Sequence, residues 1–105
     1  MKTLKKLLQK ESPFLLIAGP CAIEGEEISI KIAEKCHEIA KKHNIQYVFK
    51  GSFKKANRSK IDSFTGIGDV KALKILSKIR NDLKIPVTTD VHEVGDIEMA
   101  KDHVD

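Results

Sequence analysis

Short apolar runs alternate with amphipathic stretches along this sequence, and that alternation limits the possible folds more than any other feature. Residues 14–18, 45–49 and 85–89 have the length and apolar, β-branched or aromatic character of strands. The first of them is continuously apolar, as parallel strands covered on both faces are, and Gly19 and Pro20 end it. Between the first two, residues 26–43 place Ile28, Ile32, Cys36, Ile39 and Ala40 on one face with Lys and Glu opposite, which predicts an amphipathic helix. A second helix is predicted from Asp69, read as its N-cap, with Val70, Leu73, Leu76 and Ile79 or Arg80 along the inner stripe. A third begins near Val94, and Leu4, Leu7 and Leu8 suggest a short one over residues 3–10. The order strand, helix, strand, helix, strand implies parallel strands joined by right-handed crossovers. A (β/α) barrel and an open doubly wound sheet fit this pattern equally well.

With 105 residues, 41% hydrophobic and 32% charged, the chain can bury the core of one small domain. No apolar run approaches the roughly 20 residues that cross a bilayer, so no membrane role is expected. Residues 1–10 are basic, but Glu11 separates them from an apolar run too short for a signal peptide. Two cysteines, Cys21 and Cys36, make no disulfide framework. A cytoplasmic location is the resulting expectation.

Lys50, Lys54, Lys55, Arg58 and Lys60 crowd into eleven positions, which points to an anionic partner. Nucleic acid fits poorly, because only Phe53 is available for base stacking there and no helix-turn-helix or zinc-finger spacing accompanies it. Small phosphates fit better. The connection over residues 51–68 exceeds the usual strand-to-helix loop of about 2 to 6 residues, and its lysines, guanidinium, amide and hydroxyls suit phosphate or carboxylate oxygens. A solvated charged loop is the plain alternative.

Polar residues follow each predicted strand: Cys21 and Glu24, then Lys50, then Asp90 and His92. That edge binds ligands in both candidate architectures. Lys50 can hold an anion, form a Schiff base with a carbonyl, or simply reach water. Cys21 can ligate a metal or attack as a thiolate, or fill a small buried space. Cys36 falls in the filler class; His37 and His43, placed on or near the exposed side of their helix, and His103 are given no role. Asp90 and His92 suit hydrogen bonding to a sugar hydroxyl or a water, or they cap the next helix, with Glu93 as its N-terminal charge.

Taken together, residues 17–24 (Ile-Ala-Gly-Pro-Cys-Ala-Ile-Glu), 47–50 (Tyr-Val-Phe-Lys), 52–53 with 55–59 (Lys-Ala-Asn-Arg-Ser), and 89–93 (Thr-Asp-Val-His-Glu) resemble the 3-deoxy-D-manno-octulosonate 8-phosphate synthases in order and spacing. The resemblance runs from about residue 14 to the end of the chain. It implies the N-terminal portion, about three β/α units, of a single (β/α)8 TIM-barrel synthase domain. The implied reaction condenses phosphoenolpyruvate with D-arabinose 5-phosphate and releases phosphate without a Schiff base, which demotes that role for Lys50. On the same ground Lys50 and Lys55 contact substrate, Lys55 on the phosphoenolpyruvate side, and Asp90 lies near the aldehyde. Asn57, Arg58 and Ser59 recognise the pentose phosphate, often across a subunit boundary of a homotetramer.

Cysteine after Gly-Pro marks the family's metal-dependent members, so Cys21 is implied as a ligand of zinc, iron or manganese. The remaining ligands, a histidine, a glutamate and an aspartate, are implied on later strands that this chain does not contain. The sister family making 3-deoxy-D-arabino-heptulosonate 7-phosphate typically reads Lys-Pro-Arg-Thr-Ser in the loop, so Lys55 to Ser59 favour the pentose. Lys54 stands where an acidic residue is common and Thr65 where an arginine is. Three strands leave a barrel of roughly 250 residues unclosed, so the 105 residues alone are expected to be inactive. A noncatalytic segment that binds phosphate or self-associates through open sheet edges is the alternative.

Overall fold

The structure, a computed structural model, describes residues 14–54 and 68–105. Within them alternate β1 (Leu15–Ala18), α1 (Glu26–Lys42), β2 (Gln46–Lys50), α2 (Asp69–Leu83), β3 (Val87–Thr88) and α3 (Val94–Ala100). The strands form an open parallel sheet in the order β1-β2-β3. The predicted α/β alternation is therefore what the chain adopts. The predicted helix over residues 3–10 lies outside the described residues, as do residues 55–67 of the long connection.

β2 sits at the centre because it carries the best strand formers, and Tyr47, Val48 and Phe49 are all buried. Leu16 pairs with Tyr47, Ile17 with Val48 and Ala18 with Phe49. Partners in register share a face. Leu16, Ala18, Tyr47 and Phe49 join the core that α1 and α2 cover, whereas Ile17, Val48 and Lys50 project to the other side. Coverage of β1 on both faces is thus not what the structure has: Phe14 is 56% and Ile17 51% exposed. Among the described residues β1 is an edge strand, and no helix lies on its Ile17 face.

The helix stripes also need correction. On α1, Ser29, Ala33 and Ala40 are buried with Ile32 and Cys36 partly so, while Ile28 and Ile39 face solvent. Small residues let α1 approach the sheet closely, and the burying row lies one position away from the row of largest side chains. On α2 the buried set is Ala72, Leu73, Ile75, Leu76 and Ile79, and Val70 is exposed. Gly68 rather than Asp69 is the N-cap of α2, and Asp69 occupies the first turn, where its charge suits the helix dipole. At the end of α1, Asn44 turns into the left-handed region (φ 56°) and the N–H groups of Asn44 and Ile45 reach back to the Lys41 and Ala40 carbonyls, a Schellman stop that aims the chain into β2.

His37 is half-buried against Tyr47, ring centroids 6.5 Å apart, and not on the exposed side predicted for it. The Tyr47 hydroxyl donates to the Ala18 carbonyl at 2.7 Å, tying β2 to the end of β1. Burial first, then its contact with Cys36, pushes the Tyr47 phenol above its ordinary range, so it remains a neutral donor. His103 has a structural part as well, its Nδ1 lying 2.6 Å from the Ser77 hydroxyl. After α3 the chain returns to the outer edge of β3, where Asp105 N–H donates to Val87 O and Val87 N–H donates to the Asp105 carboxylate.

Candidate active site

The three strands run parallel, so their C-terminal ends lie along one rim, and the chain leaving each is stitched to its neighbour. Gly19, just past β1, crosses so close to β2 that a Cβ there would stand 1.8 Å from the Lys50 carbonyl oxygen. Only glycine permits that approach. Ala22 and Ser52 then form an isolated parallel bridge, with Ile23 N–H donating to Ser52 O at 3.0 Å. On the other side Gly51 N–H donates to Thr88 O at 3.3 Å and Phe53 N–H to the Thr89 hydroxyl at 3.3 Å. The Ala-Gly-Pro-Cys-Ala and Lys-Gly-Ser-Phe runs thus extend the sheet beyond its strands.

Ser52 donates its hydroxyl to Asp90 Oδ1 at 2.5 Å, and His92 Nε2 lies 2.9 Å from Asp90 Oδ2. An ionised carboxylate accepts only, so the His92 nitrogen carries the proton of that bond. Lys50 pairs in register with Thr88, the last residue of β3, and Asp90 follows two residues later, so both stand at the ends of neighbouring strands. Burial alone would push the Asp90 carboxyl up. The Ser52 hydrogen bond, its own backbone N–H, the Lys50 charge and His92 together outweigh that and hold it below the usual carboxylate range. The rim therefore presents a lysine near a fixed, ionised carboxylate. Such a pair can neutralise an incoming anion and orient an electrophile or a water next to it.

Sequence reasoning missed a second cluster. Lys54 Nζ lies 2.9 Å from Asp96 Oδ1 and 3.9 Å from Asp69 Oδ2. The Asp96 side chain is only 2% exposed, and its Oδ2 accepts the N–H groups of His92 (2.9 Å) and Glu93 (3.2 Å). Glu93 and Asp96 form the capping box of α3. The Lys54 hydrogen bond, with the His92 N–H next, pulls the Asp96 carboxyl down to about 2, and Asp96 in turn raises the Lys54 ammonium. Because the folded-state value is depressed, the stability this carboxylate contributes is fully present above its ordinary value of 3.8 and is lost as pH falls through about 2. A signal existed in the sequence: Glu93 and Asp96 stand at N-cap and N3 spacing. Nothing in it pointed from there to Lys54.

Of the residues singled out from the sequence, the structure brings Asp90 and His92 into contact at the rim and sets Lys50 near enough for its charge to lower the Asp90 carboxyl. The cap of α3 falls to Glu93 and Asp96, which separates Asp90 and His92 from the capping reading. Cys21 is exposed immediately past β1 and is not a buried filler. Lys55, Asn57, Arg58 and Ser59 lie outside the described residues. Among the described residues no three His, Cys, Asp or Glu side chains converge as a metal cage.

Residues 4–105 match the family described as DAHP synthetase I. The chain belongs to that family. It is also 48% identical over 95 residues to a 2-dehydro-3-deoxyphosphooctonate aldolase of Paracidovorax citrulli, covering 90% of this chain and 33% of the relative. Proteins of the same name from Methylibium petroleiphilum (45% over 95 residues, 90% and 33%) and Desulfotalea psychrophila (43% over 99 residues, 94% and 35%) are similar too. The chain spans about a third of the length of these curated relatives. The resemblance drawn from the four motifs is thus matched by proteins carrying a synonymous name.

Proposed function

We propose that the full-length protein condenses phosphoenolpyruvate with D-arabinose 5-phosphate to give 3-deoxy-D-manno-octulosonate 8-phosphate and inorganic phosphate. The observation that carries this reading is that Lys50 and Asp90 stand at the ends of neighbouring parallel strands, near enough for the Lys50 charge to lower the Asp90 carboxyl. The names of the relatives support it. In this scheme Lys50 and Lys55 offset the charge of two phosphorylated substrates held side by side, and Asn57, Arg58 and Ser59 bind the pentose phosphate. The enol carbon of phosphoenolpyruvate forms the new bond to the aldehyde carbon, with Asp90 positioned near that aldehyde. Water adds to the adjacent carbon, and phosphate leaves from it. A divalent metal, zinc, iron or manganese, with the Cys21 thiolate as one ligand, supplies Lewis-acid polarisation when bound. The proposed setting is a (β/α)8 barrel, homotetrameric and cytoplasmic. Two features support the barrel: the face of β1 on which no helix among the described residues lies, and the return of the chain at Asp105 to pair with the outer edge of β3.

The family description favours a second reading, in which a tetrose phosphate replaces the pentose. Phosphate release from phosphoenolpyruvate by the full-length protein, measured with D-arabinose 5-phosphate and with D-erythrose 4-phosphate, separates them. We expect release with the pentose and a kcat/KM at least about 100-fold lower with the tetrose. Tetrose preference reverses the assignment, and silence with both removes it. For the metal, Cys21→Asn should lose stoichiometric metal by elemental analysis. Equal content in both proteins takes Cys21 out of the ligand set.

A further inference from the structure

We propose that the Lys54–Asp96 ion pair is a positioning device for the Asp90–His92 pair, locking the chain after β3 onto the chain after β2. The inference rests on the proposed reaction for the step it serves. An N3 carboxylate needs only the N-cap N–H to close a capping box, and it does so at the surface. Asp96 instead is 2% exposed and has both oxygens engaged, one on Lys54 and one on the N–H groups of His92 and Glu93. An ionised carboxylate buried to that degree is unfavourable without a cation, and the cation comes from 42 residues away in the chain. Lys54 also reaches toward Asp69 on the first turn of α2, so its ammonium joins the exit of β2 to the starts of two helices.

The pair acts on the site through short covalent paths. Asp96 grips the His92 N–H, two residues from Asp90, and Lys54 adjoins Phe53, whose N–H is held by the Thr89 hydroxyl. With the Ser52 bond to Asp90, residues 52, 53 and 54 thus contact residues 90, 89 and 96 in turn. Releasing the last contact leaves Asp96 holding the His92 and Glu93 N–H groups with no tie to the exit of β2, so residues 91–93 can move away from that exit and Asp90 shifts relative to Ser52 and Lys50.

The test compares full-length wild type with Lys54→Met, Lys54→Arg and the double variant Lys54→Met/Asp96→Asn, which leaves no uncompensated carboxylate to unfold the protein. We expect Lys54→Met and the double variant to lower kcat about tenfold with KM for phosphoenolpyruvate within about twofold, and Lys54→Arg to recover most of the loss. Amide hydrogen exchange at His92 and Glu93 should quicken about tenfold in both, with the amides of β2 unchanged. Unchanged exchange at those two amides in the double variant overturns the proposal. So does faster exchange throughout with kcat per folded molecule intact, because that is a purely structural role. The exchange arm needs no turnover: a wild type that releases no phosphate, alongside quickened exchange at His92 and Glu93, overturns the reaction assigned and leaves the lock standing.

Discussion

Gly19→Ala should destabilise the protein by about 3 kcal/mol or more, and the structure gives the reason. The new methyl would sit 1.8 Å from the Lys50 carbonyl oxygen, and a backbone atom in the central strand cannot step aside as a side chain can. Relief requires β1 to part from β2 at the rim, which moves Lys50 and disturbs the Ala22 to Ser52 bridge. Two other glycines calibrate the effect. At Gly51 the nearest obstacle is the terminal methyl of Ile23 at 2.4 Å, which can rotate, so Gly51→Ala should cost only about 1 to 2 kcal/mol. At Gly95, inside α3, nothing lies within 4 Å, and Gly95→Ala should be neutral or stabilise by up to about 1 kcal/mol. Chemical denaturation of the three variants reads the order directly. A Gly19→Ala protein as stable as Gly95→Ala contradicts the close crossing.

The second large effect concerns the rim charges. If the proposed reaction holds, Lys50→Ala in the full-length protein should lower kcat/KM for phosphate release on the order of 10³-fold, since that reaction sets its cation against two phosphorylated substrates and their transition state. Asp90→Asn keeps the shape and one acceptor but loses the charge, and should cost on the order of 10²-fold, mostly in kcat. Ser52→Ala removes a donor that holds Asp90 ionised and in place, so a loss of about tenfold is expected. Because Asp90 titrates below its ordinary range, its deprotonation cannot shape the rate profile near neutrality. An acidic limb at pH 5 or above that vanishes in Asp90→Asn contradicts this placement.

The order of elements was legible because strand and helix periods differ so clearly, 2 against 3.6, and the strand-end residues followed from that order. Lys50 and Asp90 were found this way: each stands just past an apolar run, and parallel strands put such positions on one rim. Side-chain size misled the reading of the helices. Ile28 and Ile39 are large and apolar, yet α1 buries Ser29, Ala33 and Ala40, because close approach to the sheet favours small residues over bulky ones, whereas α2 buries mainly leucine and isoleucine and leaves only Val70 of its predicted stripe exposed. His37 was misplaced for a related reason, since an imidazole can stack on a buried tyrosine while remaining polar. Asp96 was invisible because its role depends on Lys54, a partner distant in sequence that reads locally as one more charge in a basic run. Pairings of that kind are set by tertiary packing and leave no periodic trace.

The proposed reaction requires that Lys50 at the end of β2 and Asp90 just past β3 face the phosphorylated substrates. A crystal structure of the full-length protein with phosphoenolpyruvate and, separately, D-arabinose 5-phosphate measures it. The prediction is a substrate oxygen within about 3 Å of Lys50 Nζ and the pentose aldehyde end beside the Asp90 carboxylate. Both substrates seated away from these strand ends, with Lys50 and Asp90 bonded only to each other or to solvent, would contradict it.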